Sequence, residues 1–158
     1  GTMTEEINLP KNANKEEIYK ALLPQVKALL SGEEDLVANM ANMSAVLKEA
    51  FGFFWVGFYN VKKGELVLGP FQGPVACTRI QKGKGVCGKA WESGETQVVP
   101  DVNAFPGHIA CSASSQSEIV VPVSNGKEII AVLDIDSDHL ATFDAVDQKY
   151  LEEMVGYL

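Results

Sequence analysis

The residues of this chain best suited to chemistry are its three cysteines, a set of carboxylates and two histidines. Cys111 lies in the polar stretch Cys111-Ser112-Ala113-Ser114-Ser115, where an accessible, reactive thiol is expected. Cys87 follows apolar Val86 in a glycine-rich segment and reads as a small buried hydrophobe. Cys77 sits on a short expected strand after Gly73-Pro74, and both readings stay open for it. Three cysteines without a CxxC pair do not make a secreted disulfide framework.

Asp134 and Asp136 are two residues apart in the apolar run Val132–Asp136. If the strand continues through them, both lie on one face. Two like charges there are costly unless they serve a purpose. The other reading ends the strand near Leu133 and lets the aspartates begin a loop. Glu118 opens the partner strand, and Asn125-Gly126 signals the hairpin between them. A two-residue turn pairs Ser124 with Lys127 and points Glu118 away from Asp134. A three-residue loop or a single bulge reverses that parity and gathers all three carboxylates, and this is the arrangement expected.

His108 lies three residues before Cys111, near enough to lower its pKa, although a loop histidine without that role is the plainer reading. His139 is expected in solvent. No Cys/His spacing fits a zinc site, and no metal is expected. Gly83-Lys84-Gly85-Val86-Cys87-Gly88 matches neither a P-loop nor a complete dinucleotide fingerprint, so it reads as a backbone turn. In Phe53–Tyr59, strand alternation puts Trp55 and Tyr59 on one face, either as core or as the wall of an apolar pocket.

The elements that must position these groups follow from periodicity. Ile18, Leu22, Val26 and Leu29 repeat at helical spacing, with Pro24 expected to kink or divide that helix. Ser31-Gly32 ends it. Leu36, Met40, Met43 and Leu47 carry a second helix with Glu33-Glu34-Asp35 at its N-terminus. Phe53–Val61 and Glu65–Leu68 read as a strand pair, Gly69-Pro70 and Gly73-Pro74 as loop, and Val75–Ile80 as a short strand. Gly83–Gly94 reads as a turn entering a short helix, Thr96–Val99 as a strand, and Asp101–Ala110 as a loop or helical turn. Ile119–Val123 and Glu128–Ile135 flank the hairpin turn, and Phe143–Leu158 closes as an amphipathic helix. The sum is an α+β fold: a central, mostly antiparallel sheet of about six strands with helices on both faces. Residues 1–14 are expected to be a flexible N-terminus, with Gly1-Thr2 a cloning remnant, and 15–158 a single domain.

Composition narrows the partners. A chain of 158 residues is the size of one domain. Its net charge is −8, and Arg79 is its only arginine, which argues against nucleic acid and anionic membranes as partners. No run approaches the roughly 18 apolar residues of a spanning helix, and no signal peptide is visible, so the cytoplasm is the expected location.

Several motifs together resemble a known family. They are Gly52-Phe53-Phe54-Trp55-Val56-Gly57-Phe58-Tyr59, Leu68-Gly69-Pro70-Phe71-Gln72-Gly73-Pro74-Val75-Ala76-Cys77, Gly83–Gly88, Val99-Pro100-Asp101-Val102, Phe105-Pro106-Gly107-His108-Ile109-Ala110-Cys111, Ser117-Glu118-Ile119-Val120 and Leu133-Asp134-Ile135-Asp136-Ser137. From about residue 15 onward the chain is similar to the free methionine-(R)-sulfoxide reductases, which are stand-alone GAF domains. The resemblance implies a substrate, free L-methionine-(R)-sulfoxide. It implies Cys111 as the catalytic cysteine, Cys77 as the resolving one and Cys87 as a third that serves as an alternate or is dispensable. It further implies Glu118, Asp134 and Asp136 as pocket carboxylates, and Trp55 and Tyr59 as the aromatic wall around the substrate methyl. No cofactor is implied beyond an external thioredoxin and NADPH reducing system, and a homodimer fits the terminal helices. Ser112 departs from the acidic residue more often expected there. The competing readings are a non-catalytic GAF sensor of a small molecule and a dimerisation module.

Overall fold

The computed structural model of the chain describes residues 6–109 and 111–158. Residues 1–5 of the expected flexible N-terminus, and Ala110, lie outside the described residues. Residues 6–14 run against the first helix: Ile7 and Leu9 pack on the core, and Gln25 exchanges hydrogen bonds with the Asn8 backbone.

Helix α1 (Lys15–Leu30) starts at a capping box between Asn14 and Glu17. It runs through Pro24 as one element, contrary to the expected division. Leu22 and Val26, on either side of the proline, are fully buried, and Lys20, whose carbonyl loses its partner, is exposed to water. Helix α2 (Leu36–Phe51) is capped by Asp35 and ends on Gly52 in the left-handed region. Helix α4 (Ala145–Val155) is tied to α1 through Asp147, which is buried and accepts from Lys15 at 2.6 Å and from the Tyr19 hydroxyl at 2.7 Å.

Six strands form one sheet in the order β3-β2-β1-β6-β5-β4, with every neighbouring pair antiparallel. They are β1 (Trp55–Lys62), β2 (Glu65–Gln72), β3 (Arg79–Ile80), β4 (Gln97–Val99), β5 (Ser117–Ser124) and β6 (Ile129–Ser137). Alternation divides the central strands cleanly. Val56, Phe58, Ile119, Val121, Leu133 and Ile135 face α1, α2 and α4 in the larger core. Trp55, Tyr59, Val120 and Val132 face the other way, toward helix α3 (Gly85–Ser93). Both faces are therefore covered, as the expected architecture requires.

Two segments differ from the expected strands. Strand β2 continues through Gly69-Pro70 to Gln72, because a bulge opposite Phe58 accommodates a proline that cannot donate to the ladder. Val75–Thr78 is not strand, and only Arg79–Ile80 pairs with β2, so Cys77 lies on a loop. Strand β6 does not end near Leu133: Asp134 and Asp136 lie inside it.

The hairpin register explains the carboxylate face. The connection is neither a two-residue turn nor a three-residue loop but four residues, Asn125–Glu128, closed by the Asn125 carboxamide accepting from the Lys127 and Glu128 amides, and the parity reversal comes from the expected bulge. Two extra loop residues preserve side-chain parity. A bulge at Ile130 then shifts the pairing by one, from Ser124 opposite Ile129 to Val123 opposite Ala131, and reverses it. Glu118 consequently stands directly across from Asp136, on the same face as Asp134.

Candidate active site

The face of the sheet opposite the three-helix core carries Trp55 and Tyr59 on β1, Glu118 on β5, and Asp134 and Asp136 on β6. Three segments roof this face. The first is residues 73–78 between β2 and β3. Its backbone is held by side chains rather than by a ladder: the Trp55 indole donates to the Pro74 carbonyl at 3.0 Å and the Tyr59 hydroxyl to the Cys77 carbonyl at 2.8 Å. The second is α3 with the glycine turn before it. The third is the loop from the 3-10 turn at Val102–Ala104 to β5.

The glycine turn has a steric reason. Gly83 donates to the Gly88 carbonyl, and a Cβ at Gly88 would lie 2.5 Å from the Gln81 carbonyl oxygen. Gly85 at φ +62° lets the helix begin beneath Ile109. The segment is thus a backbone turn, as expected, and it delivers Cys87 into the site from the first turn of α3. Its buried character matches the expectation for that residue.

Between roof and sheet is a cavity of about 60 Å³ of space open to the centre of a water-sized sphere. That is room for a small metabolite and not for a folded chain. Cys111, Cys87, Glu118, Asp134, Asp136, Trp55 and Tyr59 all line it. Cys77 stands just outside and is joined to Cys111 by a disulfide with 5.5 Å between Cα atoms across 34 residues of sequence. Cys87 is a free thiol.

The electrostatics are those of acids forced together away from water. Glu118 and Asp134 are each 6 % exposed. Burial first, then the neighbouring Asp134 and Asp136 carboxylates, push the Glu118 pKa well above the ordinary range, and its hydrogen bonds to both aspartates push the same way. Asp136 is raised by burial and by the Asp134 charge, against the opposing hydrogen bonds from the Ser115 hydroxyl (3.2 Å) and Glu118. Asp134 is raised by burial, but hydrogen bonds from Glu118 and from the Cys87 thiol draw it back. All three carboxyls are thus pushed toward the protonated form, Glu118 with no opposing influence, and the trio titrates as one unit. Asp134 Oδ1 is buried and lacks a hydrogen-bond partner among the described residues. Burial, and then the surrounding carboxylates, hold Cys87 as a neutral thiol.

Donor atoms of Cys87, Glu118 and Asp134 lie within 4.8 Å of one another, a spacing that metal ligands also show. Burial pushes the Cys87 thiol and the Glu118 carboxyl toward their neutral forms, so a metal would have to displace those protons to bind. His108 also lines the cavity, with its pKa lowered by burial against the opposing pull of Asp134. His139 is exposed.

Two contributors were not visible in the sequence. Ser115 supports Asp136, and the only signal for it was the serine-rich loop. Lys84, exposed at the N-terminus of α3, is the one Lys or Arg lining the cavity; the helix start there has no side-chain cap. Its place beside the glycine turn was the available signal.

Comparison with known proteins places the chain in a family. Residues 32–158 match the family model described as GAF domain. The chain is 57 % identical to "GAF domain-containing protein A" of Dictyostelium discoideum over 99 % of each chain. It is 45 % identical to the free methionine-R-sulfoxide reductase of Saccharomyces cerevisiae, covering 95 % of this chain and 88 % of that one. Among solved structures it is similar to a free methionine-R-sulfoxide reductase from Neisseria meningitidis in complex with its substrate: 53 % identity, TM-score 0.94, covering 98 % of this chain and 93 % of that one.

Proposed function

The chain belongs to the GAF-domain family, among its free methionine-R-sulfoxide reductases, and we propose that it reduces free L-methionine-(R)-sulfoxide through Cys111 and the carboxylate trio. The observation that carries this reading is the Cys77–Cys111 bridge standing over a cavity lined by Glu118, Asp134 and Asp136. A sulfoxide oxygen leaves only once it is protonated, and an isolated carboxyl would be ionised at neutral pH. Glu118, crowded by two aspartates, keeps the needed proton.

In the reduced enzyme the Cys111 thiolate attacks the substrate sulfur while Glu118 supplies a proton to the oxygen. A bond forms between the Cys111 sulfur and the substrate sulfur; the protonated oxygen then passes to the Cys111 sulfur as the S–O bond and the new S–S bond break, so methionine leaves reduced by two electrons and Cys111 is left as a sulfenic acid. The Cys77 thiolate attacks that sulfur, water departs, and the disulfide forms. An external dithiol, thioredoxin in turn reduced from NADPH, restores both thiols. Asp134 Oδ1 receives the substrate ammonium; Lys84 and the uncapped start of α3 face its carboxylate. Trp55, stacked at 5.9 Å on Tyr59, walls the methyl end. Cys87 stays a buried thiol beside Asp134 and serves as an alternate or is dispensable. A cytoplasmic setting and a homodimer belong to the same reading.

The test is NADPH consumption with thioredoxin and its reductase on free R-sulfoxide, free S-sulfoxide and peptide-bound sulfoxide. Consumption with the first alone is expected. Equal consumption with the peptide, or none with any of the three, would overturn the assignment.

A further inference from the structure

Residues 66–78 and 102–117 contain no Asp, Glu, Lys or Arg, in a chain where those residues make up 22 % of the total. These two segments carry the two halves of the disulfide. Five large hydrophobic side chains are exposed among the described residues, and two of them flank the bridge. Val75, two residues before Cys77, is 91 % exposed, and Ile109, two residues before Cys111, is 40 % exposed. Both stand at the rim of the same cavity, and Cys111 itself is exposed. On a molecule of net charge −8, the bridge thus sits in a collar of uncharged sequence with two exposed apolar side chains, and Lys84 is the one exposed charged side chain lining the same cavity.

We propose that this collar, centred on Val75 and Ile109, is the docking face for a protein dithiol whose own reactive cysteine is framed by apolar, uncharged surface. The proposal rests on the reductase reading for the purpose of the bridge, and names the surface by which its reductant is recognised. With Lys84 the single exposed charge at the cavity, charge steering is weak there, and recognition depends on apolar contact over the small area typical of a transient redox encounter. A thiolate of the partner attacks one sulfur of the Cys77–Cys111 bond. A mixed disulfide forms, the original S–S bond breaks, and the released thiolate takes up a proton. The partner's second thiolate then attacks the mixed disulfide and leaves as a disulfide, having given up two electrons, with both cysteines of this chain again thiols.

The test needs no substrate, so its outcome is separable from that of the substrate assay. The oxidised protein is mixed with reduced thioredoxin, and loss of the bridge is followed by stopped-flow thiol quantification. Val75→Glu should lower the second-order rate about tenfold, and Val75→Ser should lower it by less. Dithiothreitol should reduce parent and variants at rates within about twofold of one another. Val37→Glu, the same change at a site 59 % exposed on α2, should behave as the parent with both reductants. Raising salt from about 50 to about 500 mM should change the parent's rate with thioredoxin by less than about threefold. A Val75→Glu rate equal to the parent's with thioredoxin, an equal slowing with dithiothreitol, or a steep salt dependence would each overturn the proposal.

Discussion

In the proposed reaction Glu118 is the proton donor, and burial, neighbouring charge and hydrogen bonding all raise its pKa. The folded chain therefore holds protons that the unfolded chain has released. Stability from this source is full below the ordinary carboxylate range, near pH 4, and is lost as pH rises through the raised folded values. Glu118→Gln should accordingly gain stability over the parent as pH climbs from 4 to 9, by at least ~1 kcal/mol at the alkaline end, while turnover falls ~100-fold or more. Thermal melts and initial rates across that range check both halves. Cys87, held neutral by its surroundings, should resist iodoacetamide in the folded protein at pH 7.5 and react fully once unfolded, as read by mass spectrometry. Lys84→Glu should raise KM about tenfold with a smaller effect on kcat, since it reverses the charge facing the substrate carboxylate.

Among the elements, the β5–β6 hairpin decides whether the carboxylates meet. Removing two residues from the Asn125–Glu128 connection preserves parity and should leave activity within a few-fold of the parent. Deleting Ile130 removes the bulge, turns Glu118 against its neighbours' face and should abolish both cooperative melting and turnover. The need for a parity reversal was legible in the sequence, because Asp134, Asp136 and Glu118 make sense only on one face. The means was not: loop length and bulge position depend on which backbone groups the Asn125 carboxamide captures, a choice made in three dimensions. The two covered faces were likewise legible from alternation in β1, β5 and β6. Cys77 was misplaced on a strand because Val75–Ile80 has strand composition, whereas its backbone is anchored by side chains of Trp55 and Tyr59 from another strand. Pro24 and Gly69-Pro70 misled in the same way, as local breaking signals overridden by burial on either side or by a bulge.

At the scale of the whole molecule, the sheet separates two tasks. Helices α1, α2 and α4 supply the larger core on one face, with Asp147 fastening the first helix to the last, and leave the other face free for a chamber that costs stability. The bridge across 34 residues offsets part of that cost in the oxidised state, by roughly 2–4 kcal/mol in the chain-entropy account. The oxidised protein should therefore melt several degrees above the reduced one, and Cys77→Ser should erase the difference in differential scanning calorimetry. The central claim is that the exposed sulfur, the proton-holding acids and the resolving sulfur act in one pass. A single-turnover experiment addresses it: fully reduced protein is mixed with excess free R-sulfoxide and no reductant, and both methionine and the bridge are quantified. One methionine per chain with a Cys77–Cys111 disulfide formed in equal amount is the predicted result, with Cys77→Ser still yielding one methionine and a trappable sulfenic acid on Cys111. Methionine formed by a Cys111→Ser protein, or none formed by the parent, would contradict it.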